Sequence, residues 1–153
     1  MFKVIKSLLK GIGRRTVKIV SDYLPEYKTE GAACFDLASN ETHTFNHNEL
    51  YVLGTGLSVE IPSGYCILVF ARSSLGIKKL IIPNSVGVID SDYRGEIKVP
   101  IISLNEDSIT IEKGQRIAQA MLVKLTRANL TLADSLTSTS RGAGGFGSTG
   151  NNG

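Results

Sequence analysis

Arg72 closes a strongly apolar run and is followed by two hydroxyl residues and a glycine, in Ala71-Arg-Ser-Ser-Leu-Gly76. A guanidinium, hydroxyl donors and backbone N–H groups at a strand end form a set able to hold phosphate. An ordinary surface turn has the same composition, and the residues alone leave both readings open. More chemistry is written into Val86-Gly-Val-Ile-Asp90-Ser-Asp92-Tyr93-Arg94-Gly95. Extended backbone puts Val86, Val88, Asp90 and Asp92 on one face, so a carboxylate follows apolar residues at the strand's end. Partial shielding there would let Asp90 act as a base toward water. Tyr93, three residues on, is a flat wall for a sugar or a base. A hairpin turn with an Asp near its start is the equal alternative.

Gly31-Ala-Ala-Cys-Phe-Asp36-Leu sets one carboxylate in a small, apolar segment. A lone buried charge is costly there, and a hydrogen-bonded network or a metal-bound water would relieve it. Lys113-Gly-Gln-Arg116-Ile-Ala-Gln119-Ala reads as a turn entering a strand, with Arg116 and Gln119 as polar inserts. Residues 137–153, TSTSRGAGGFGSTGNNG, have almost no apolar content beyond Phe146. Such a segment cannot bury enough surface to order itself, so a flexible tail is expected. Its contents still form a set that could close over a phosphorylated ligand. Glycines let N–H groups approach phosphate oxygens, Arg141 supplies charge and Phe146 a stacking face.

These residues need a scaffold, and 153 residues suffice for one domain with a sizeable core. Hydrophobic residues at 42% and charged residues at 20% exclude general disorder. A net charge of +3 suits an anionic small ligand and lacks the clustered excess of a nucleic-acid binder. Short Val- and Ile-rich runs follow one another: 16–21, 51–53, 57–61, 65–71, 77–82, 86–90, 96–104, 108–112 and 117–125. Gly, Pro, Asn and Asp turns separate them, which predicts an all-β sandwich, jelly roll or barrel. Cys34 and Cys66 lie in apolar segments and read as reduced core thiols of a cytosolic protein. His43 and His47 fall in a polar stretch, too few for a zinc site, and read as surface loop. No apolar run approaches the roughly 20 residues of a membrane span. In residues 1–14, Phe2, Ile5, Leu8, Leu9 and Ile12 recur at helical spacing between Lys3, Lys6 and Lys10. This basic amphipathic extension could pack on the domain, fray, touch a membrane surface or serve as a targeting segment.

In order, GAACFDLAS (31–39), ARSSLG (71–76), GVIDSDYRGE (87–96), KGQRIAQAML (113–122) and RGAGGFGSTG (141–150) closely resemble the five motifs of the trimeric dUTPase family. The resemblance runs from about Arg15 to Gly150. It implies a dUTPase-like jelly roll or distorted β-barrel over residues 15–136 and a Gly-rich arm, 137–153, closing over the active site. It also implies a homotrimer with sites shared between subunits, a cytoplasmic location (host cytoplasm if viral), and Mg²⁺-assisted hydrolysis of dUTP to dUMP and pyrophosphate. By the same resemblance Asp90 activates the water that attacks the α-phosphorus, and Tyr93 packs on the deoxyribose. The hairpin around Asn84 and Gly87 reads uracil. Arg72, Ser73, Ser74 and Gln119 hold the α- and β-phosphates, and Asp36 belongs to the metal's water shell. From the arm, Arg141, Gly147 and Ser148 take the γ-phosphate region while Phe146 stacks over the base. The chain departs from the family at Ser74, where glycine is usual. Arg-Ser-Ser is also similar to the related dCTP deaminases, but their catalytic Glu aligns with Pro100 here. A nucleotide-gated regulatory binding protein is the third reading.

Overall fold

A computed structural model describes residue 13, residues 15–146 and residue 148. The expected extension over 1–14 falls almost wholly outside the described residues. Within them the chain forms ten strands: β1 Lys18–Val20, β2 Phe35–Ala38, β3 His43–Phe45, β4 Leu50–Glu60, β5 Tyr65–Ala71, β6 Leu80–Ile81, β7 Val86–Ile89, β8 Glu96–Ser103, β9 Ile109–Ile111 and β10 Arg116–Lys124. One short helix, α1, covers Ser73–Ile77. The strands pair antiparallel into a first sheet ordered β1-β4-β8-β6, a second ordered β2-β10-β5-β7, and a β3-β9 ribbon. The all-β expectation is borne out. None of the described helices is long and apolar enough to cross a membrane.

The core is the alternation of β8 facing that of the second sheet. Ile97, Val99 and Ile101 point inward, opposed by Leu37, Ile67, Val69, Ile117 and Ala120. The other face of the first sheet is also apolar. Leu50 lies opposite Ile102, Val52 opposite Pro100, and Ile81 beside Ile102. Leu50, Val52 and Ile81 are exposed, a contiguous patch of the kind that marks an interface.

Three local expectations change. Residues 77–82 do not form one strand: Leu75 is buried, the chain makes a helical turn over it, and only Leu80–Ile81 is extended. The runs at 51–53 and 57–61 are one strand, β4, interrupted by a bulge between Gly54 and Ser58. His43 is not a loop residue; it is half-buried in β3, stacked on Tyr51 at 3.7 Å between ring centroids. Its Nε2 lies 2.8 Å from Glu49. The Asn46 N–H and then His43 hold the Glu49 carboxyl below its usual range. His47 does sit in an exposed turn, its Nδ1 3.0 Å from the Asn105 carbonyl. Cys66 is buried and Cys34 half-buried, both as free thiols.

At the β4 bulge Thr55 is fully buried, and its hydroxyl donates to the Ile97 carbonyl at 2.6 Å while accepting the Leu57 N–H at 3.2 Å. Thr55→Val keeps the shape and removes both bonds. It is expected to lower stability by roughly 1–3 kcal/mol, measured by denaturant unfolding at fixed protein concentration.

Candidate active site

Three of the sequence-selected segments meet at one end of the second sheet. β10 pairs on one side with β2 and on the other with β5, so Gln119 stands between Asp36 and Phe70. Arg72 follows the last residue of β5. Its Nε lies 3.0 Å from Asp36 Oδ1, and Arg116 Nη1 lies 2.9 Å from Asp36 Oδ2. The Asp36 side chain is 16% exposed and that of Arg72 is 22% exposed. The costly lone carboxylate expected from the sequence is therefore paired twice. Arg72 Nη1 also donates to the Arg116 carbonyl at 3.1 Å, and the Gln119 amide donates to the Ala71 carbonyl at 3.0 Å. Ser73 and Ser74 open α1 and face solvent. The cluster carries two guanidinium groups against one carboxylate, an anion-binding balance with arginines already oriented.

In the sequence Arg116 reads only as a polar insert. Helical or strand periodicity does not link it to Asp36, because a bulge between Arg116 and Ala118 shifts the register there.

Asp90 lies at the other end of the same sheet. It follows β7 and, with Val88, Tyr93, Glu96 and Lys98, lines a shallow recess of about 270 Å³. The Tyr93 hydroxyl donates to the Glu96 carbonyl at 3.0 Å, which folds the ring back over Gly95. A Cβ at Gly95 would overlap the Tyr93 hydroxyl and ring edge, so a side chain there would push the ring out of this position. Before β7 the chain turns tightly: the Val86 N–H donates to the Asn84 carbonyl at 2.6 Å, and Ser85 adopts φ +61°. A Cβ on Gly87 would press on Val69 at 3.3 Å. One expectation is corrected here. Val86 and Val88, on the Asp90 face, are exposed, and Asp90 is open rather than partly shielded within the chain.

The two ends are far apart. The β5–β7 register sets Phe70 opposite Val86 and Ile67 opposite Ile89, so Asp90, just after Ile89, leaves at the level of Cys66, while Arg72 follows Ala71 at the far end of β5. Six residues of strand separate these levels, about 20 Å at the usual rise. The described residues beyond Leu125 join neither strand nor helix, and Leu130, Leu132 and Leu136 are exposed. In the tail Arg141 Nε donates to the Gly144 carbonyl at 3.0 Å, and the Ser148 N–H donates to the Gly145 carbonyl at 3.1 Å. Phe146, at φ +49°, is fully exposed and is not among the residues lining the Asp90 recess. Gly147 lies outside the described residues. Among the described residues no group of three or more His, Cys, Asp or Glu could hold a metal ion.

Fold and site together define a jelly-roll-like β protein with an arginine cluster at one end of a sheet and a carboxylate–tyrosine recess at the other. The family model described as dUTPase matches residues 22–150. The chain is 44% identical over 128 residues to the deoxyuridine 5'-triphosphate nucleotidohydrolase of Nautilia profundicola, covering 83% of this chain and 90% of that one. It is 45% identical over 127 residues to the enzyme of the same name from Zymomonas mobilis, covering 82% and 87%. Among solved structures, the dUTPase of Staphylococcus bacteriophage 80alpha bound to dUPNHPP superposes with a TM-score of 0.82 at 29% identity, over 90% of this chain and 99% of that one. A mutant dUTPase from phage phi11 of S. aureus, described with a structural Mg(II) ion, shares the fold at TM-score 0.74 and 23% identity, over 81% of this chain and 100% of that one. The chain belongs to the dUTPase family.

Asp36→Asn leaves the two arginines with one weakened partner and no neutralising charge. The substitution is expected to cost roughly 1–3 kcal/mol, read as a lower denaturation midpoint at fixed concentration, with wild-type secondary structure retained.

Proposed function

We propose that this chain is a dUTP diphosphatase acting as a homotrimer whose sites are each assembled from more than one subunit. The observation that carries the proposal is the separation of Arg72 from Asp90 along β5. A group that holds the α- and β-phosphates and a base that serves the α-phosphorus must lie within a few ångströms of the same atoms. About 20 Å of strand within one chain forbids that. A neighbouring copy that brings its arginine cluster to this chain's Asp90 recess removes the conflict. Association also has surfaces to use: the apolar outer face around Leu50, Val52 and Ile81, and Val86 and Val88 beside Asp90.

In this reading Asp90 takes a proton from a water as its oxygen attacks the α-phosphorus. The bond from that phosphorus to the bridging oxygen breaks, and pyrophosphate leaves with dUMP remaining. The Asn84–Gly87 turn presents main-chain groups to uracil in a slot too tight for a methyl. Tyr93 lies against the deoxyribose and excludes a 2′-hydroxyl. Arg72, Ser73, Ser74 and Gln119 hold the α- and β-phosphates, with Arg116 and Asp36 keeping Arg72 extended. Ser74 supports its contact through a hydroxyl in place of glycine's bare backbone. Arg141, Gly147 and Ser148 complete the γ-phosphate end while Phe146 covers the base. The exposure of Phe146 and of Leu130, Leu132 and Leu136 fits an arm that closes over a neighbour's site.

Mg²⁺ fits as a cofactor carried on the triphosphate. With both Asp36 oxygens taken by arginines, that carboxylate would reach the ion through a bound water. When present, the ion neutralises phosphate charge and orients the leaving group. A cytoplasmic location fits the two free thiols.

Subunit mixing tests the shared site. Asp90→Asn and Arg72→Ala trimers are each expected to lose at least about 100-fold in dUTP turnover with Mg²⁺. Unfolding and refolding the two together is expected to restore activity, because about one site in four then combines an intact Asp90 with an intact Arg72. No recovery from confirmed mixed trimers would place both residues' action within one chain. Ammonia release from dCTP by the wild type would favour the deaminase reading instead.

A further inference from the structure

Glu96, the first residue of β8, lines the Asp90 recess and also a second recess of about 430 Å³ bounded by Ser21, Asp22, Asn40, Gly56 and Ser58. Its side chain and its main chain hold different things. The β4–β8 ladder breaks between Gly54 and Ser58, and the Gly56 N–H donates at 2.7 Å to Glu96 Oε1 instead of to a strand partner. Asn40 Nδ2 donates to the same oxygen at 3.2 Å, and the Asn40 N–H donates to the Gly54 carbonyl at 3.0 Å. The packing is close enough that a Cβ on Gly54 would lie 2.7 Å from Glu96 Oε1 and 2.8 Å from Asn40 Oδ1. The main-chain carbonyl of the same Glu96 accepts the Tyr93 hydroxyl. One residue thus joins the bulge of the first sheet to the ring beside Asp90.

We infer that Glu96 is a positioning residue for Tyr93: its carboxylate, anchored in the β4 bulge, fixes the carbonyl that holds the ring, and thereby sets how strictly the site rejects a 2′-hydroxyl. The inference rests on the reading of Tyr93 as the sugar wall. Glu96 pairs with Ser58 at the edge of the bulge, and its carboxylate ties the same residue to the Gly56 N–H within the bulge. The two donors approach one carboxylate oxygen and commit that oxygen to the bulge. Lys98 Nζ, 3.7 Å from the other oxygen, adds a loose exposed pair of small consequence.

The test compares wild type, Glu96→Ala, Glu96→Gln, Tyr93→Phe and the Glu96→Ala/Tyr93→Phe double variant on dUTP and UTP, with kcat and KM for each. The readout is the ratio of kcat/KM for dUTP over UTP, because partial misfolding scales both nucleotides alike. Glu96→Ala is expected to lower the ratio about tenfold, the size of one lost hydrogen bond. Glu96→Gln, whose amide oxygen still accepts the Gly56 N–H, is expected to retain it. Tyr93→Phe removes the other end of the link, so the double variant is expected to match the worse single one. A ratio unchanged in Glu96→Ala but lowered in Tyr93→Phe overturns the inference, as do two independent losses that multiply. A ratio unchanged in both shows that the ring walls the sugar without its hydroxyl anchor and overturns the inference; tyrosine ring resonances of the nucleotide-free trimer read the link directly. They are expected to move for Tyr93 in Glu96→Ala and to stay in Glu96→Gln; no movement in the alanine variant overturns the inference.

Discussion

β5 is seven residues long and pairs along its length with two neighbours, and that length governs what one copy of this chain can do. Its C-terminal end delivers Arg72 to Asp36 and the β10 side chains. The level of its N-terminal half, across β7, is where Asp90 emerges. A strand fixed on both edges by hydrogen bonds cannot fold to bring its ends together, since every bent residue would strand main-chain groups in the core. Chemistry that needs both ends must therefore come from two chains, and the same sheet that separates them keeps each end rigid.

Rigidity at the arginine end has an electrostatic origin. Without Asp36, Arg72 and Arg116 would repel one another and sample many rotamers before any phosphate arrived. The shared carboxylate holds both guanidinium groups at hydrogen-bond distance and leaves an excess of positive charge. An incoming anion meets donors already ordered, so less of its binding energy goes into arranging the site. Asp36 thus orders both arginines from a position set by β2.

How much of this is legible in the sequence follows from how far each interaction reaches. β5 reads at its true limits because an unbroken apolar run lies between Gly64 and Arg72. β4 reads as two pieces because Gly54-Thr-Gly56 has turn composition, and only the pairing with β8 reveals a bulge. β2 and β3 escape the sequence pattern: Phe-Asp-Leu-Ala and His-Thr-Phe are too short to show a clear alternation, and β10 and β9 supply what holds them extended. The ordered motifs single out Arg72, Asp90, Tyr93 and Gln119. They do not give the pairing of Asp36 with two arginines, nor the distance between the clusters. Those depend on strand register, which a linear pattern does not encode when bulges intervene.

The molecule also divides its conformational freedom by task. Groups that would judge the base and sugar stand on backbone with no slack: a 2.6 Å turn before β7, a glycine under Tyr93 where a Cβ would displace the ring, and a bulge locked by Glu96. Discrimination against one added methyl or hydroxyl needs such walls, because a yielding wall absorbs the clash it should impose. The described part of the tail, by contrast, is glycine-rich, and its leucines and Phe146 are exposed among the described residues. On the proposed reading, an arm that admits a triphosphate, excludes water and then releases two products gains from low intrinsic order, since closure then depends on the ligand being present. In that reading rigid walls select and a loose arm commits, and exchanging those properties would leave a site that binds the wrong nucleotide or fails to let go of the right product.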